Sequence, residues 1–141
     1  MKKYFATAFF LLFVCCLLHG KLLAQATGDK PGITTCLENY ISADADRLDK
    51  AFHPSATMKF IDPASGAFRD VPIAEYIQRT RENTNKPQRR SEIVYINIQG
   101  TAAQAEIKFE TDKYLLYDFM NLLKINGEWK IVSKIFSRID K

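Results

Sequence analysis

The apolar residues that follow the first 28 positions recur at helical spacing. A stripe runs from Asp29 to Ile41 and predicts a first helix, with apolar positions at Ile33, Cys36, Leu37, Tyr40 and Ile41. Leu48, Ala51 and Phe52 then predict a short second helix, which Pro54 should stop because proline breaks a helix interior.

The middle of the chain alternates between strand-like and helical patterns. The segments ATMKFIDP and GAFRDV read as two short strands around a turn that contains Asp62 and Gly66. Asp70 and Pro72 precede a third helical stripe, whose apolar side includes Ile73 and Tyr76. From Glu92 the period changes to two, which predicts four strands joined by short turns. The order of elements predicts an α+β layer plan with helices on one face of a curved antiparallel sheet.

The last two predicted strands, over residues 114–136, are apolar on both faces. Asn126-Gly127 is a strong two-residue hairpin signal, and it would pair Ile125 with Glu128. A regular register would then place Phe119 opposite Lys134 and Asn121 opposite Val132, with Asp118 and Lys134 on opposite faces. One β-bulge would bring Asp118 and Lys134 onto the same face. We expect one face to meet the helices and the other to meet a second subunit.

The N-terminal segment MKKYFATAFFLLFVCCLLHGKLLAQA has the pattern of a secretory signal peptide. A basic start precedes an apolar run, and Ala24-Gln25-Ala26 has the small residues of a cleavage site. We therefore expect residues 1–26 to be removed, residues 27–141 to form one domain, and the protein to be periplasmic or secreted. The apolar run is short for a bilayer span, so we expect no stable membrane anchor.

Composition narrows the chemistry of the mature chain. The full sequence has 20 Lys and Arg against 16 Asp and Glu, and removal of the predicted leader takes three lysines with it. The near-neutral remainder gives no electrostatic reason to expect nucleic-acid binding. Cys36 and His53 are the cysteine and histidine left after residue 26, so we expect no metal site. Cys36 lies on an apolar stripe, which favours a buried, inert thiol.

Several polar residues allow two interpretations. Lys134 either extends its charge to water or contacts a ligand. Asp118 is either a strand-edge carboxylate that the backbone or solvent satisfies, or part of a pocket. The polar loop RENTNKPQRR, with Arg79 before it, either binds an anionic partner or is a solvated surface, and its composition favours the surface.

The segments YISADADRLDKAFHPSATMKF, VPIAEYIQR and YDFMNLLKINGEWKIVSKIF resemble the putative lumazine-binding family of the nuclear transport factor 2-like (NTF2-like, SnoaL-like) superfamily. The resemblance implies a cone-shaped, cystatin-like fold with three N-terminal helices on a curved, mainly antiparallel sheet. It also implies a cavity at the open end and frequent homodimers. The candidate ligand-binding residues are Phe52, His53, Met58, Phe60, Tyr76, Tyr117, Asp118, Asn121, Trp129 and Lys134.

A second resemblance concerns catalysis. SATMKFIDPASG is similar to the stretch around the general base of ketosteroid isomerases, which implies Asp62 as base and Tyr40 as acid. Asp118 or Asn121 would supply the second acid, although neither combines the family's spacing and chemistry. Asp62-Pro63 is equally an ordinary turn dipeptide.

We therefore expect an exported domain that binds a small, partly apolar molecule without catalysis and without a cofactor. The alternative is a cofactor-free isomerase or dehydratase that uses Asp62 as its base. Convergence of Asp62, Tyr40 and Asp118 or Asn121 on one cavity would favour the enzyme.

Overall fold

The structure, a computed structural model, describes residues 28–83, 85 and 87–141. The predicted signal peptide, residues 1–26, lies outside the described residues, and its cleavage and the export of the chain stay predictions. No helix within the described ranges is long and apolar enough to span a membrane.

Three helices are present in this part of the chain. Helix α1 covers residues 28–41, α2 is Ala45–Ala51 and α3 is Ile73–Glu82. Asp44 caps α2 by accepting a hydrogen bond from the backbone N–H of Arg47 at 3.1 Å, which satisfies a free donor at the helix start. Helix α3 follows the first hairpin in the chain and packs against it.

The second helix ends earlier than the sequence predicts. The helical pattern was expected to continue to Pro54, but Phe52 already begins a strand and Pro54 lies within it. Pairing with the neighbouring strand is irregular between Phe52 and Thr57. Proline has no N–H to donate, and an interrupted ladder tolerates that loss.

Six strands form one open, curved, mostly antiparallel sheet in the order β2-β1-β6-β5-β4-β3. Among the described strands, β1 and β6 are the pair that runs parallel. The strands are β1 (Phe52–Ile61), β2 (Phe68–Pro72), β3 (Arg90–Gln99), β4 (Ala102–Glu110), β5 (Tyr114–Ile125) and β6 (Glu128–Asp140). The α+β plan, the curved sheet and the long C-terminal meander predicted from the sequence are confirmed.

The β5–β6 hairpin contains a bulge that changes its register. Near the turn, Ile125 pairs with Glu128 as predicted, and Asn126 and Gly127 have φ values of 52° and 86°. These left-handed values suit an Asn-Gly turn. The register shifts between Asn121 and Leu122, and Val132 is the extra residue on β6.

Beyond the bulge, the regular pairing predicted from the sequence is wrong. Phe119 pairs with Ile135 rather than Lys134, and Asn121 pairs with Ser133 rather than Val132. The extra residue reverses the side-chain alternation of β6. Lys134 therefore shares a face with Asp118, as the bulged alternative required.

The two faces of this hairpin have different surroundings. The inner face, which carries Leu116, Asp118, Met120 and Leu122, meets the helices and holds the core. The outer face carries Phe119, Asn121, Leu123 and Ile135, and no described residue covers it. The expectation that both faces are largely apolar is confirmed, whereas the second subunit stays a prediction.

The core lies between the helices and the inner face. Its fully buried members include Leu37 on α1, Leu48 on α2 and Ile131 on β6. Burial of each such side chain stabilises the fold by about 1.5–3 kcal/mol. Gly32 on α1 lies so close to the Trp129 ring that a Cβ there would come within 3.2 Å of it. The glycine thus allows α1 to approach the sheet.

Candidate functional site

A cavity of about 470 Å³ opens between the end of α1, α3 and the inner face of the sheet. This volume falls within the range of ordinary small-molecule sites, roughly 300–1,000 Å³. Its wall combines aromatic and aliphatic side chains with a few polar groups. The lining residues are Tyr40, Ala43, Met58, Phe60, Tyr76, Arg79, Thr80, Asn83, Asn85, Pro87, Arg89, Leu116, Lys134 and Phe136.

A hydrogen-bonded cluster of three buried polar residues stands at one wall of the cavity. The Tyr40 hydroxyl donates to Asp118 Oδ2. Lys134 Nζ donates to the Tyr40 oxygen at 2.6 Å and lies 3.0 Å from the same Asp118 oxygen. The exposed fractions of Tyr40, Asp118 and Lys134 are 1%, 0% and 4%. These contacts offset part of the cost of burying the cluster, while Asp118 Oδ1 is buried without a hydrogen-bond partner among the described residues.

Burial dominates the electrostatics of this cluster. It raises the pKa of Tyr40 well above its ordinary value, and the negative charge of Asp118 adds to the effect. It also lowers the pKa of Lys134, although the attraction of Asp118 opposes that shift. The Lys134 ammonium lies 4.8 Å from the Phe136 ring and 4.9 Å from the Tyr40 ring, which adds cation–π stabilisation.

The apolar part of the wall comes mainly from two parallel strands. Phe60 on β1 and Phe136 on β6 are register partners, and their rings stack with centroids 4.4 Å apart. Met58 lies two residues before Phe60 on β1 and is 5% exposed. Tyr76 contributes from α3, and its partial burial raises the pKa of its hydroxyl. A flat apolar ligand would find matching surfaces here.

Arg89 belongs to the polar loop that the sequence favours as a solvated surface, yet it lines the cavity. Its guanidinium lies 3.7 Å over the Phe109 ring, and its Nη2 atom is buried with no hydrogen-bond partner among the described residues. The run of basic residues before β3 was a signal, but its composition favoured a solvated surface. Stacking on the sheet draws this one arginine inward.

Five of the twelve predicted site residues line the cavity: Tyr40, Met58, Phe60, Tyr76 and Lys134. Asp118 lies behind the wall and acts through Tyr40 and Lys134. Phe52 is core, and its ring packs edge-on against the Tyr40 ring with centroids 5.6 Å apart.

The remaining candidates lie elsewhere, for identifiable reasons. Tyr117 and Asn121 point to the outer face, where Asn121 bonds to Gln104 and Ser133. Trp129 is core beside Gly32, and His53 Nδ1 lies 2.8 Å from the Ser55 hydroxyl on β1. None of these four is among the residues that line the cavity.

Asp62 belongs to a turn and does not line the cavity. Its Oδ1 accepts hydrogen bonds from the backbone N–H groups of Ala64 and Ser65, both at 3.0 Å. These bonds lower the pKa of Asp62, which favours a charged turn residue over a proton acceptor. The structure therefore brings Tyr40 and Asp118 together but leaves the predicted base apart from them.

The described residues contain no group of three or more His, Cys, Asp or Glu side chains arranged to hold a metal ion. Cys36 is buried and donates its thiol hydrogen to the Ala51 carbonyl oxygen at 3.3 Å.

Comparisons with known proteins agree with this architecture. The family model described as putative lumazine-binding matches residues 29–137. An NTF2-like protein of unknown function from Shewanella baltica is 29% identical, with 82% of this chain and 97% of that chain covered and a TM-score of 0.72. For an NTF2-like protein of unknown function from Methylobacillus flagellatus, the identity is 32%, the coverage 79% and 93%, and the TM-score 0.68.

A cystatin-like fold protein from Burkholderia xenovorans is 15% identical, covers 86% of this chain and 94% of its own, and has a TM-score of 0.61. That likeness concerns the fold alone. None of the curated proteins matches the chain. On the family match and the shared architecture, the chain belongs to the putative lumazine-binding family, within the NTF2-like proteins.

Proposed function

We propose that this protein binds a small, partly apolar molecule in the cavity between α1, α3 and the inner face of the sheet, without catalysing a reaction. The main observation in support is a cavity of about 470 Å³ whose largely apolar wall includes a few polar groups. Stacked Phe60 and Phe136 supply a flat apolar surface, while Tyr40 and Lys134 supply directed donors. The family description also points to a small-molecule ligand.

Binding is favoured over catalysis by the absence of a suitable base among the described lining residues. No carboxylate is part of the described wall. Asp118 Oδ2 is occupied by Tyr40 and Lys134, and Asp62 is held in its turn. A general base must reach the carbon acid that it deprotonates. Asp62, the base in the isomerase hypothesis, does not line the cavity, so that hypothesis is not favoured.

The proposal is tested by native mass spectrometry of protein purified from its own host. A retained compound should appear as a constant mass increment that vanishes on denaturation, and lumazine is one reference compound for its identification. A matched variant, Met58→Arg, should lose the increment, because it fills the apolar part of the cavity with a charged side chain. The proposal fails if the protein carries no compound and a library of small aromatic compounds also gives no saturable binding.

We also propose that the protein works outside the cytoplasm after cleavage near Ala26. The supporting pattern is the basic start, apolar run and Ala24-Gln25-Ala26 site. N-terminal sequencing of the native protein should find a start at or near Thr27. An intact Met1 on a cytosolic product would refute export but would leave the binding proposal untouched.

Finally, we propose that two copies associate through the outer face. Phe119, Leu123 and Ile135 are 37%, 41% and 51% exposed there, which is unusual for neighbouring apolar side chains on one sheet face. Burial of about 800 Å² per partner is enough for a standard interface.

A further inference from the structure

The cavity wall is basic as well as apolar. Arg79, Arg89 and Lys134 line it, and none of the described lining residues is acidic. Arg79 is largely exposed and has a carboxylate neighbour, since its Nη2 lies 3.6 Å from Glu75 Oε1 on the same helix. The charges that a bound molecule would meet at depth are therefore those of Arg89 and Lys134.

These two cations share a single buried counter-charge. Asp118 offsets Lys134 at 3.0 Å, whereas the described residues offer Arg89 no ion-pair partner. The cluster of Asp118, Lys134 and Arg89 thus carries one surplus positive charge. The positive charge of Arg89 acts on both neighbours, since it adds to the lowering of the pKa of Lys134 by burial and opposes the rise in the pKa of Tyr40. A buried donor without a partner costs free energy, which an anionic ligand would recover.

Both cations have a donor left for a ligand. Lys134 Nζ has three hydrogens: one is donated to Tyr40, and the ion pair with Asp118 engages at most one more. Arg89 has the free Nη2, and stacking on Phe109 fixes the plane of its guanidinium. A planar, fixed guanidinium suits a planar carboxylate, because little side-chain entropy is lost when the bonds form.

We propose that the cavity selects a small apolar monocarboxylate, whose carboxylate binds Arg89 Nη2 and Lys134 Nζ while its apolar body lies against Phe60 and Phe136. This inference rests on the proposed binding function and specifies its ligand class. The single surplus charge favours a monoanion over a dianion such as a phosphate monoester, which would leave one negative charge buried without compensation.

The test compares three compounds that share one apolar body: 2-naphthoate, 2-naphthamide and 2-naphthyl phosphate. Isothermal titration calorimetry on the ligand-free full protein at pH 7 should show 2-naphthoate binding at least about tenfold more tightly than the neutral amide, because its hydrogen bonds are charge-assisted. Arg89→Gln should reduce that preference to about threefold or less, because the charge-assisted bond to the acid is lost. Arg90→Gln removes a largely exposed arginine that does not line the cavity, so it is the matched control and should keep the preference.

The outcomes separate the ligand class from the binding function. Equal affinity for acid and amide would overturn the monocarboxylate proposal and leave small-molecule binding in place. Tighter binding of 2-naphthyl phosphate would overturn it in favour of a dianion. Absence of saturable binding for all three compounds would count against both proposals. Arg89→Lys keeps the charge but loses the planar fork, so it should give an intermediate preference. Thermal unfolding of each variant checks that Arg89 is not required for folding.

Discussion

Lys134 Nζ lies 3.0 Å from Asp118 Oδ2, and both side chains are no more than 5% exposed. The two residues stand on neighbouring strands and share a face only because Val132 bulges from β6. Tyr40 joins them from α1 and links the sheet to the helical layer. Because Lys134 also lines the cavity, the ion pair contributes both to the packing of the sheet and to the wall of the site.

Removal of Asp118 should destabilise the protein strongly. Asp118→Leu leaves the Lys134 charge buried without its partner, and we expect the free energy of unfolding to fall by about 3–5 kcal/mol. Adding Lys134→Met should recover most of that loss, because an apolar pair replaces an ion pair. Urea denaturation measures both. Asp70→Ala, which breaks the exposed ion pair with Lys59, is the control and should cost about 1 kcal/mol or less. A small effect of Asp118→Leu alone would contradict the buried pair.

Tyr40 should stay protonated in alkaline solution as long as the protein is folded. Its pKa is raised above the ordinary 10.0, so the stability it contributes is complete below pH 10 and is lost as pH rises through the folded-state value. Absorbance at 295 nm during a pH titration should be the same for folded wild type and Tyr40→Phe. After denaturation the wild type should show one additional ionising tyrosine. A difference between the folded proteins near pH 10 would be inconsistent with this burial.

Cys36 should be unreactive in the folded protein. Burial raises the pKa of its thiol to about 11 from an ordinary 9.0, which reduces the thiolate fraction at pH 8 by roughly a hundredfold. Iodoacetamide labelling, followed by mass spectrometry of the peptide that contains Cys36, should be slow in buffer and fast in denaturant. Equal rates in the two conditions would show an accessible thiol.

Asp62 should be dispensable for binding. Asp62→Ala removes the acceptor for the N–H groups of Ala64 and Ser65, so it should lower the melting temperature slightly. Asp62→Asn retains an oxygen acceptor and should remain closer to wild type. The affinity for 2-naphthoate should be unchanged in both variants. A large loss of binding in Asp62→Asn would restore a role for this residue in the site.

Ile135→Lys should produce a monomer if two copies meet through the outer face. Ile135 is 51% exposed on that face, and a lysine there would bring two like charges into a buried contact. Sedimentation velocity should show a dimer for the wild type and a monomer for the variant. Gln78→Lys, on the exposed side of α3, adds the same charge elsewhere and should remain dimeric. A wild-type monomer at high concentration would refute the association.

The sequence by itself determined the layer plan, because local patterns carry it. The stripe of α1, the change to a period of two after Glu92 and the Asn126-Gly127 turn each depend on residues close together in the chain. Four of the ligand-binding candidates given with the family resemblance, Met58, Phe60, Tyr76 and Lys134, line the cavity, as does Tyr40, which the isomerase resemblance implied as an acid.

Tertiary structure decided the site itself. Whether Asp118 meets Lys134 depends on a one-residue bulge at Val132, which no local signal marks and which reverses every side chain beyond it. The sequence could not decide the role of Asp62, because an Asp-Pro dipeptide occurs in ordinary turns as well as beside a general base. Arg89 was overlooked because its inward position depends on Phe109, which lies on β4, a strand distant from it in sequence. Register and long-range packing are properties of the assembled sheet, so only the folded chain pairs Asp118 with Lys134 and places Lys134 and Arg89 in the wall of one cavity.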